Sequence, residues 1–82
     1  MQINLLITFV DGNAKPVVAR ASDIVAFEER FNISMGSLQK DVRFTHLLFL
    51  AWHAEKRTGE TKDNFEKWVD SVDSVEADEP KK

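Results

Sequence analysis

From Leu47 to Ala54 the chain reads Leu-Leu-Phe-Leu-Ala-Trp-His-Ala. Six apolar residues in succession, then His53 and Ala54, leave almost no polar stripe if the segment is helical. A helix that is apolar nearly all the way round needs cover on more than one side. The segment is therefore either the central helix of the domain or a helix that shares its surface with a partner. Those alternatives lead to different functions.

The chain has 82 residues, enough for one small domain. A domain of this size buries roughly 60% of the surface its unfolded chain exposes, so modest stability is expected. With 43% hydrophobic and 30% charged residues the composition is that of a folded globular protein, not a disordered one. Cysteine is absent, which excludes a disulfide scaffold, thiol catalysis and cysteine-based zinc sites. No apolar run approaches the about 20 residues needed to span a bilayer. Met1 to Val10 is apolar but has neither a basic start nor a small-residue cleavage site, so it does not read as a signal peptide. A cytoplasmic location is the expectation.

The net charge is −3, and its placement matters more than its size. Residues 1–69 carry nine Lys/Arg and nine Asp/Glu. Beyond them, Asp70, Asp73, Glu76, Asp78 and Glu79 face only Lys81 and Lys82, so the whole excess is C-terminal. This placement argues against nucleic-acid binding, which usually needs a basic face. An acidic end of this kind is usually a solvated tail, less often a dock for a basic partner.

Along the chain, Ile3, Leu5, Ile7 and Phe9 share one parity and are all apolar, while Asn4, Leu6, Thr8 and Val10 are mixed. That predicts a strand with one buried face over residues 2–10. Asp11-Gly12-Asn13 supplies turn chemistry, and Pro16 to Arg20 reads as a short return strand at a sheet edge. Ser22 and Asp23 open a first helix, with Ile24, Phe27 and Phe31 on its apolar stripe and Asn32 at its end. Residues 33–40 read as a loop that Met35 and Leu38 could anchor. A second helix runs from Asp41 or Val42 to Thr58, with Lys56 and Arg57 in its last turn and Gly59 just beyond. Thr61 and Asp63 start a third, in which Asp63 and Glu66 match the capping-box spacing. Phe65, Trp68, Val69 and Val72 form its stripe, with Val75 as an extension. From Ala77 onward no further apolar residue occurs, and a disordered acidic tail over residues 77–82 is expected. The fold class is then α+β: an N-terminal β-hairpin followed by three α-helices, in one domain over residues 1–76.

Catalytic constellations are hard to find. His46 and His53 lie two helical turns apart, too far to chelate one metal as an i, i+4 pair does, and no third His or Cys exists. Satisfied or partly exposed histidines are the simpler reading, with no metal and no cofactor. Glu28, Glu29, Glu55 and Glu60 sit near Lys or Arg in helical patterns and read as solvated faces. Three scattered glycines give no phosphate-cradling loop. The aromatics carry more information. Phe27, Phe31, Phe44, Phe49, Trp52, Phe65 and Trp68 are many for so small a domain. Aromatic residues dominate both cores and interface hot spots, so some of them, led by Phe49 and Trp52, are candidates to face a partner.

The segment Arg43-Phe44-Thr45-His46-Leu47-Leu48-Phe49-Leu50-Ala51-Trp52-His53-Ala54-Glu55-Lys56-Arg57-Thr58-Gly59 resembles the tail assembly chaperones of long-tailed phages, especially those infecting actinobacteria. Those proteins often carry a helix reading like Phe-Leu-Ala-Trp-His-Ala, followed by a basic pair, Thr and Gly. The likeness extends downstream over residues 65–76, upstream over residues 23–28, and to the strand pair around Asp11-Gly12. It covers most of residues 2–76, and the Ala-Trp-His-Ala core is its most specific part.

The resemblance implies a non-catalytic protein that binds the tape measure protein and keeps that long helical polypeptide soluble in the infected host's cytoplasm. It also implies help in recruiting tail tube protein, absence from the mature virion, and a longer frameshifted form of the same chain. No family motif assigns catalytic residues. On this reading Phe49, Trp52, Phe65 and Trp68 form or border the partner-binding surface. Self-association could cover the apolar helix as readily as a client. The rival class is a small virion structural protein, such as a head–tail connector or minor tail protein; a host-directed regulator is a third reading.

Overall fold

A computed structural model describes residues 2–34 and 43–77. Its elements are β1 (Ile3–Phe9), β2 (Ala14–Ala19), α1 (Ala21–Phe31), α2 (Phe44–Arg57), α3 (Phe65–Val69) and β3 (Val72–Ala77). The three strands form one antiparallel sheet in the order β2-β1-β3.

The N-terminal hairpin forms as its pattern predicts. The Gly12 N–H donates to the Phe9 carbonyl at 2.9 Å, and Gly12 takes a φ of +96°, where a side chain would be strained. Asp11 Oδ1 accepts from the Asn13 N–H at 2.9 Å and stiffens the turn. Register then pairs Leu5 with Val17 and Ile7 with Lys15. Leu5 and Ile7 are fully buried under the helices, while Asn4, on the opposite parity, is exposed.

The expected order, a hairpin followed by three helices, is overturned at its C-terminal end. Val72 and Val75 do not extend the third helix; they belong to β3, which pairs along the second edge of β1. The helix stops at Val69, and Ser71 turns back to bond the Trp68 carbonyl through both its N–H and its hydroxyl. The misreading has a definite cause. Phe9 pairs with Val72 and Ile7 with Val75, so three steps on β3 match two on β1. That bulge places residues three apart on the same inner face, which imitates helical spacing. Without β3, one edge of β1 would be bare.

Other boundaries shift locally. Helix α1 begins at Ala21, one residue before Ser22, and its first turn is held by the Arg20 N–H donating to Asp23 Oδ2 at 2.7 Å. It ends as expected at Asn32, in the left-handed conformation at φ +55°. Asn64, rather than Thr61 or Asp63, caps α3 by accepting from the Lys67 N–H at 2.8 Å. Helix α2 starts after Arg43; Asp41, Val42 and the anchors Met35 and Leu38 lie outside the described residues. At its other end the Gly59 N–H reaches the Lys56 carbonyl and the Glu60 N–H the Glu55 carbonyl, a Schellman cap with Gly59 at φ +83°. Ala77, assigned to the tail by its composition, is the last residue of β3, and residues 78–82 lie outside the described residues.

Helix α2 is the spine. It packs against all three strands and both other helices. Leu48, Phe49, Leu50, Ala51 and Ala54 are buried, Leu50 and the two alanines completely. The small residues Ala51 and Ala54 let neighbouring elements approach closely, while each fully buried Leu or Phe contributes roughly 1.5–3 kcal/mol of transfer free energy.

Candidate functional site

Two kinds of feature surround α2: an aromatic cluster on one side and buried carboxylates on two others. The cluster is built by the i, i+3 spacing of Phe49 and Trp52, with Phe65 supplied by the start of α3. Ring centroids lie 5.6 Å apart for Phe49–Trp52, 5.9 Å for Phe49–Phe65 and 5.7 Å for Trp52–Phe65, the last edge-to-face. Trp52 Nε1 donates to the Asp63 carbonyl at 2.9 Å, which ties α2 to the loop before α3. One turn on, Lys56 Nζ stands 5.1 Å from the Trp52 ring centre.

The four aromatic residues expected to face a partner divide into two pairs. Phe49 is 5% exposed and Trp68 is 2% exposed, so both are core. Phe49 meets Phe31 edge-on at 5.4 Å, and Trp68 Nε1 points inward to Glu55 Oε1 at 3.4 Å. Trp52 and Phe65 are half-buried, adjacent, and packed against the edge of the core. Phe44, at the first turn of α2, is about half exposed. A cleft of about 610 Å3 opens between the end of α1 and the start of α2, lined by residues such as Ile33, Arg43 and Thr45, and includes none of the four.

The first buried carboxylate is Asp23, fully excluded from solvent at the start of α1. His53 Nδ1 lies 2.6 Å from its Oδ1, and Arg57 reaches both oxygens, with the closest contact 3.0 Å. The Arg57 guanidinium also donates to the Val18 carbonyl at 3.4 Å, so one side chain links α2, α1 and β2. Burial works to raise the Asp23 pKa, but hydrogen bonds from Arg57, the Arg20 N–H and His53 outweigh it and hold the carboxyl below the usual range. The same contact raises the Arg57 pKa.

The second is Glu55, 3% exposed, on the side of α2 that faces the sheet and α3. Lys15 Nζ lies 2.7 Å from its Oε2 and also pairs with Glu60. Hydrogen bonds to Glu55 and then Glu60 raise the Lys15 pKa against a smaller desolvation effect.

Sequence reasoning passed over these groups. Asp23 reads as a helix-dipole residue, Arg57 as a stop signal and Glu55 as solvated. The available signal was His53 and Arg57 at i, i+4, two donors on one helix face that together can grip a carboxylate. His46 is buried with its ring edge-on to Phe27 and Phe31, each at 5.1 Å. Among the described residues no three His, Cys, Asp or Glu side chains converge as metal ligands, and no helix is long and apolar enough to cross a membrane.

Comparison of the chain with family models, curated proteins and solved structures finds no match.

Proposed function

We propose that this protein is a non-catalytic tail assembly chaperone of a long-tailed phage that binds the tape measure protein in the infected cell. The observation that carries the reading is the resemblance of residues 43–59, centred on Ala51-Trp52-His53-Ala54. Support from the structure is physical. The segment forms the spine of a small domain, and its Trp52 meets Phe65 on a half-buried aromatic surface beside Lys56. A client rich in apolar helical segments needs such a surface, and aromatic anchors are the usual hot spots. With Phe49 and Trp68 buried, the proposed surface is carried by Trp52 and Phe65, and the buried pair packs beneath them. Tail tube protein and a longer frameshifted form of this chain belong to the same proposal as further partners.

The test is co-expression with the tape measure protein of the same phage. Trp52→Ala and Phe65→Ser are expected to abolish co-purification while circular dichroism shows a folded domain. The Lys56→Glu variant, which changes the rim and no core contact, should weaken it. Co-purification that survives all three changes would remove Trp52 and Phe65 as the client surface. Detection of the protein in purified virions by mass spectrometry would favour the rival reading, a virion structural component.

A further inference from the structure

We infer, resting on the tail-assembly reading of Trp52 and Phe65, that the segment of the client held there is an acidic amphipathic helix. An apolar residue of that helix lies against the two rings, and an Asp or Glu one turn away meets Lys56.

Trp52 and Lys56 stand one turn apart on α2, and Lys56 Nζ lies 5.1 Å from the Trp52 ring centre. Lys56 is exposed, so its stem covers part of the indole while its ammonium stays in water. The indole is fixed by the 2.9 Å bond from Nε1 to the Asp63 carbonyl, and Phe65 meets it edge-to-face at 5.7 Å. An apolar contact and a cation are thus held one helical turn apart. A helix laid along α2 has the same pitch, so its own residues at i and i+4 meet Trp52 and Lys56 together.

Charge selects the polar side of that helix. Most charges between Lys56 and Lys67 are already engaged. Arg57 grips Asp23, Glu60 pairs with Lys15, and Lys67 Nζ stands 3.9 Å from Asp63 Oδ1. Lys56, Lys62 and Glu66 are exposed and form no ion pair among the described residues. Glu66 sits in the first turn of α3, where the free N–H groups favour a carboxylate. Two lysines are left without a counter-charge: Lys56 over the indole, and Lys62 one residue before the Asp63 carbonyl that holds it. Exposed charges act over a Debye length, about 8 Å at physiological salt, so these near cations count for more than the net charge of −3. An incoming Asp or Glu gains both lysines. An incoming Lys or Arg meets like charge, and Lys56 already occupies the ring face that would attract it.

The probes are two synthetic helical peptides with the same apolar stripe of Leu, one with a polar side of Glu and one with a polar side of Lys. Each is added to the isotope-labelled full chain. The Glu peptide should shift the indole N–H signal of Trp52 and leave that of buried Trp68 in place. It should bind about tenfold tighter than the Lys peptide at low salt, and the gap should close as salt rises to about 0.5 M. Joint Lys56→Glu and Lys62→Glu replacement, at two exposed positions, should reverse the order. Affinities within about twofold of each other, an order that charge reversal leaves unchanged, or no shift at Trp52 with either peptide would each overturn the inference. Dimers in light scattering that Trp52→Ala abolishes would overturn it too, because a second copy then takes the surface. Co-expression with the tape measure protein separates this inference from the reading beneath it. Co-purification that survives the double charge reversal but is lost with Trp52→Ala keeps the surface and removes its acidic complement. Co-purification that survives both Trp52→Ala and Phe65→Ser removes the surface itself.

Discussion

Asp23→Asn is the most informative single perturbation. It keeps the shape of a fully buried side chain and removes only its charge. The carboxylate holds His53 at 2.6 Å, Arg57 at 3.0 Å and the Arg20 N–H at 2.7 Å. Breaking a fully buried ion pair costs about 3–5 kcal/mol, mostly because the surviving charge stays buried. Here the surviving partners are wetter: the His53 and Arg57 side chains are each 29% exposed, and water can take over part of the solvation. Asparagine also retains one acceptor oxygen for the Arg20 N–H. The expected loss is therefore about 2 kcal/mol at pH 7, or a fall in Tm on the order of 10 °C for a domain of this size.

The pH dependence gives the same group a second signature. The folded-state pKa of Asp23 lies below its unfolded value, so the unfolded chain takes up the proton first as pH falls. Its contribution is complete above the unfolded value near pH 4 and disappears as pH drops through the folded value. Urea titrations followed by Trp52 and Trp68 fluorescence at several pH values between 7 and 2 should show the two proteins converging at the acid end. A difference below about 0.5 kcal/mol at pH 7, or one that stays constant through the acid range, would refute the assignment of Asp23 as a charged structural hub.

Three further outcomes follow from the packing. Leu50→Ala removes a completely buried side chain from the spine and should cost about 3 kcal/mol in urea unfolding, within the 2–5 kcal/mol typical of such sites. Lys15→Met leaves Glu55 buried without its cation and should destabilise, whereas Glu55→Gln added to it should recover most of the loss in a double-mutant cycle. Because the Lys15 pKa is raised on folding, the stability this pair supplies is complete below the usual lysine range near pH 10 and is lost as pH rises through the folded value. Gly59→Ala meets open space but is forced to φ +83°, so a loss of about 1 kcal/mol is expected with no change in the rest of the fold, read from Tm.

The parts of the fold legible in the sequence are those where one rule acts alone. Alternation in Ile3–Phe9, the Asp11-Gly12 turn and the Gly59 stop each depend on a few neighbouring residues, and the structure bears them out. Strand β3 was hidden because its identity depends on β1. A bulge turned Val72 and Val75 into a helical spacing, and only pairing with Phe9 and Ile7 reveals it. The ion groups were hidden for a related reason. Asp23 and Arg57 are 34 positions apart, and Lys15 and Glu60 are 45 apart; charge at that separation has no local signature. The aromatic cluster was half legible: the spacing identifies the residues as a set, but only the packing of α3 against α2 separates Phe49 and Trp68 from Trp52 and Phe65.

That separation bears on the run from Leu47 to Ala54. Its apolar character alone is no evidence for a client, because the chain's own elements cover most of it. The sheet, α1 and α3 enclose Leu48, Phe49, Leu50, Ala51 and Ala54. Even the polar residues near its C-terminal end, Glu55 and His53, are engaged by Lys15, Trp68 and Asp23. What remains for a partner is the stripe made by Trp52 and Lys56, with Phe65 alongside, and the half-exposed Phe44 at the first turn of α2. On that stripe Trp52 is anchored by the Asp63 carbonyl at one end, so its ring is held in a fixed orientation before contact. A preorganised aromatic surface loses little side-chain entropy on binding, which would suit the proposed role of holding an apolar helix. Trp52, Phe65 and Lys56 alone make a small surface, so a client of the proposed kind would need many copies of this chain along its length rather than a single tight complex. Under the proposed function, co-purification at well above one copy of this chain per tape measure protein is the expected outcome, and a one-to-one complex stable at nanomolar concentration would contradict it.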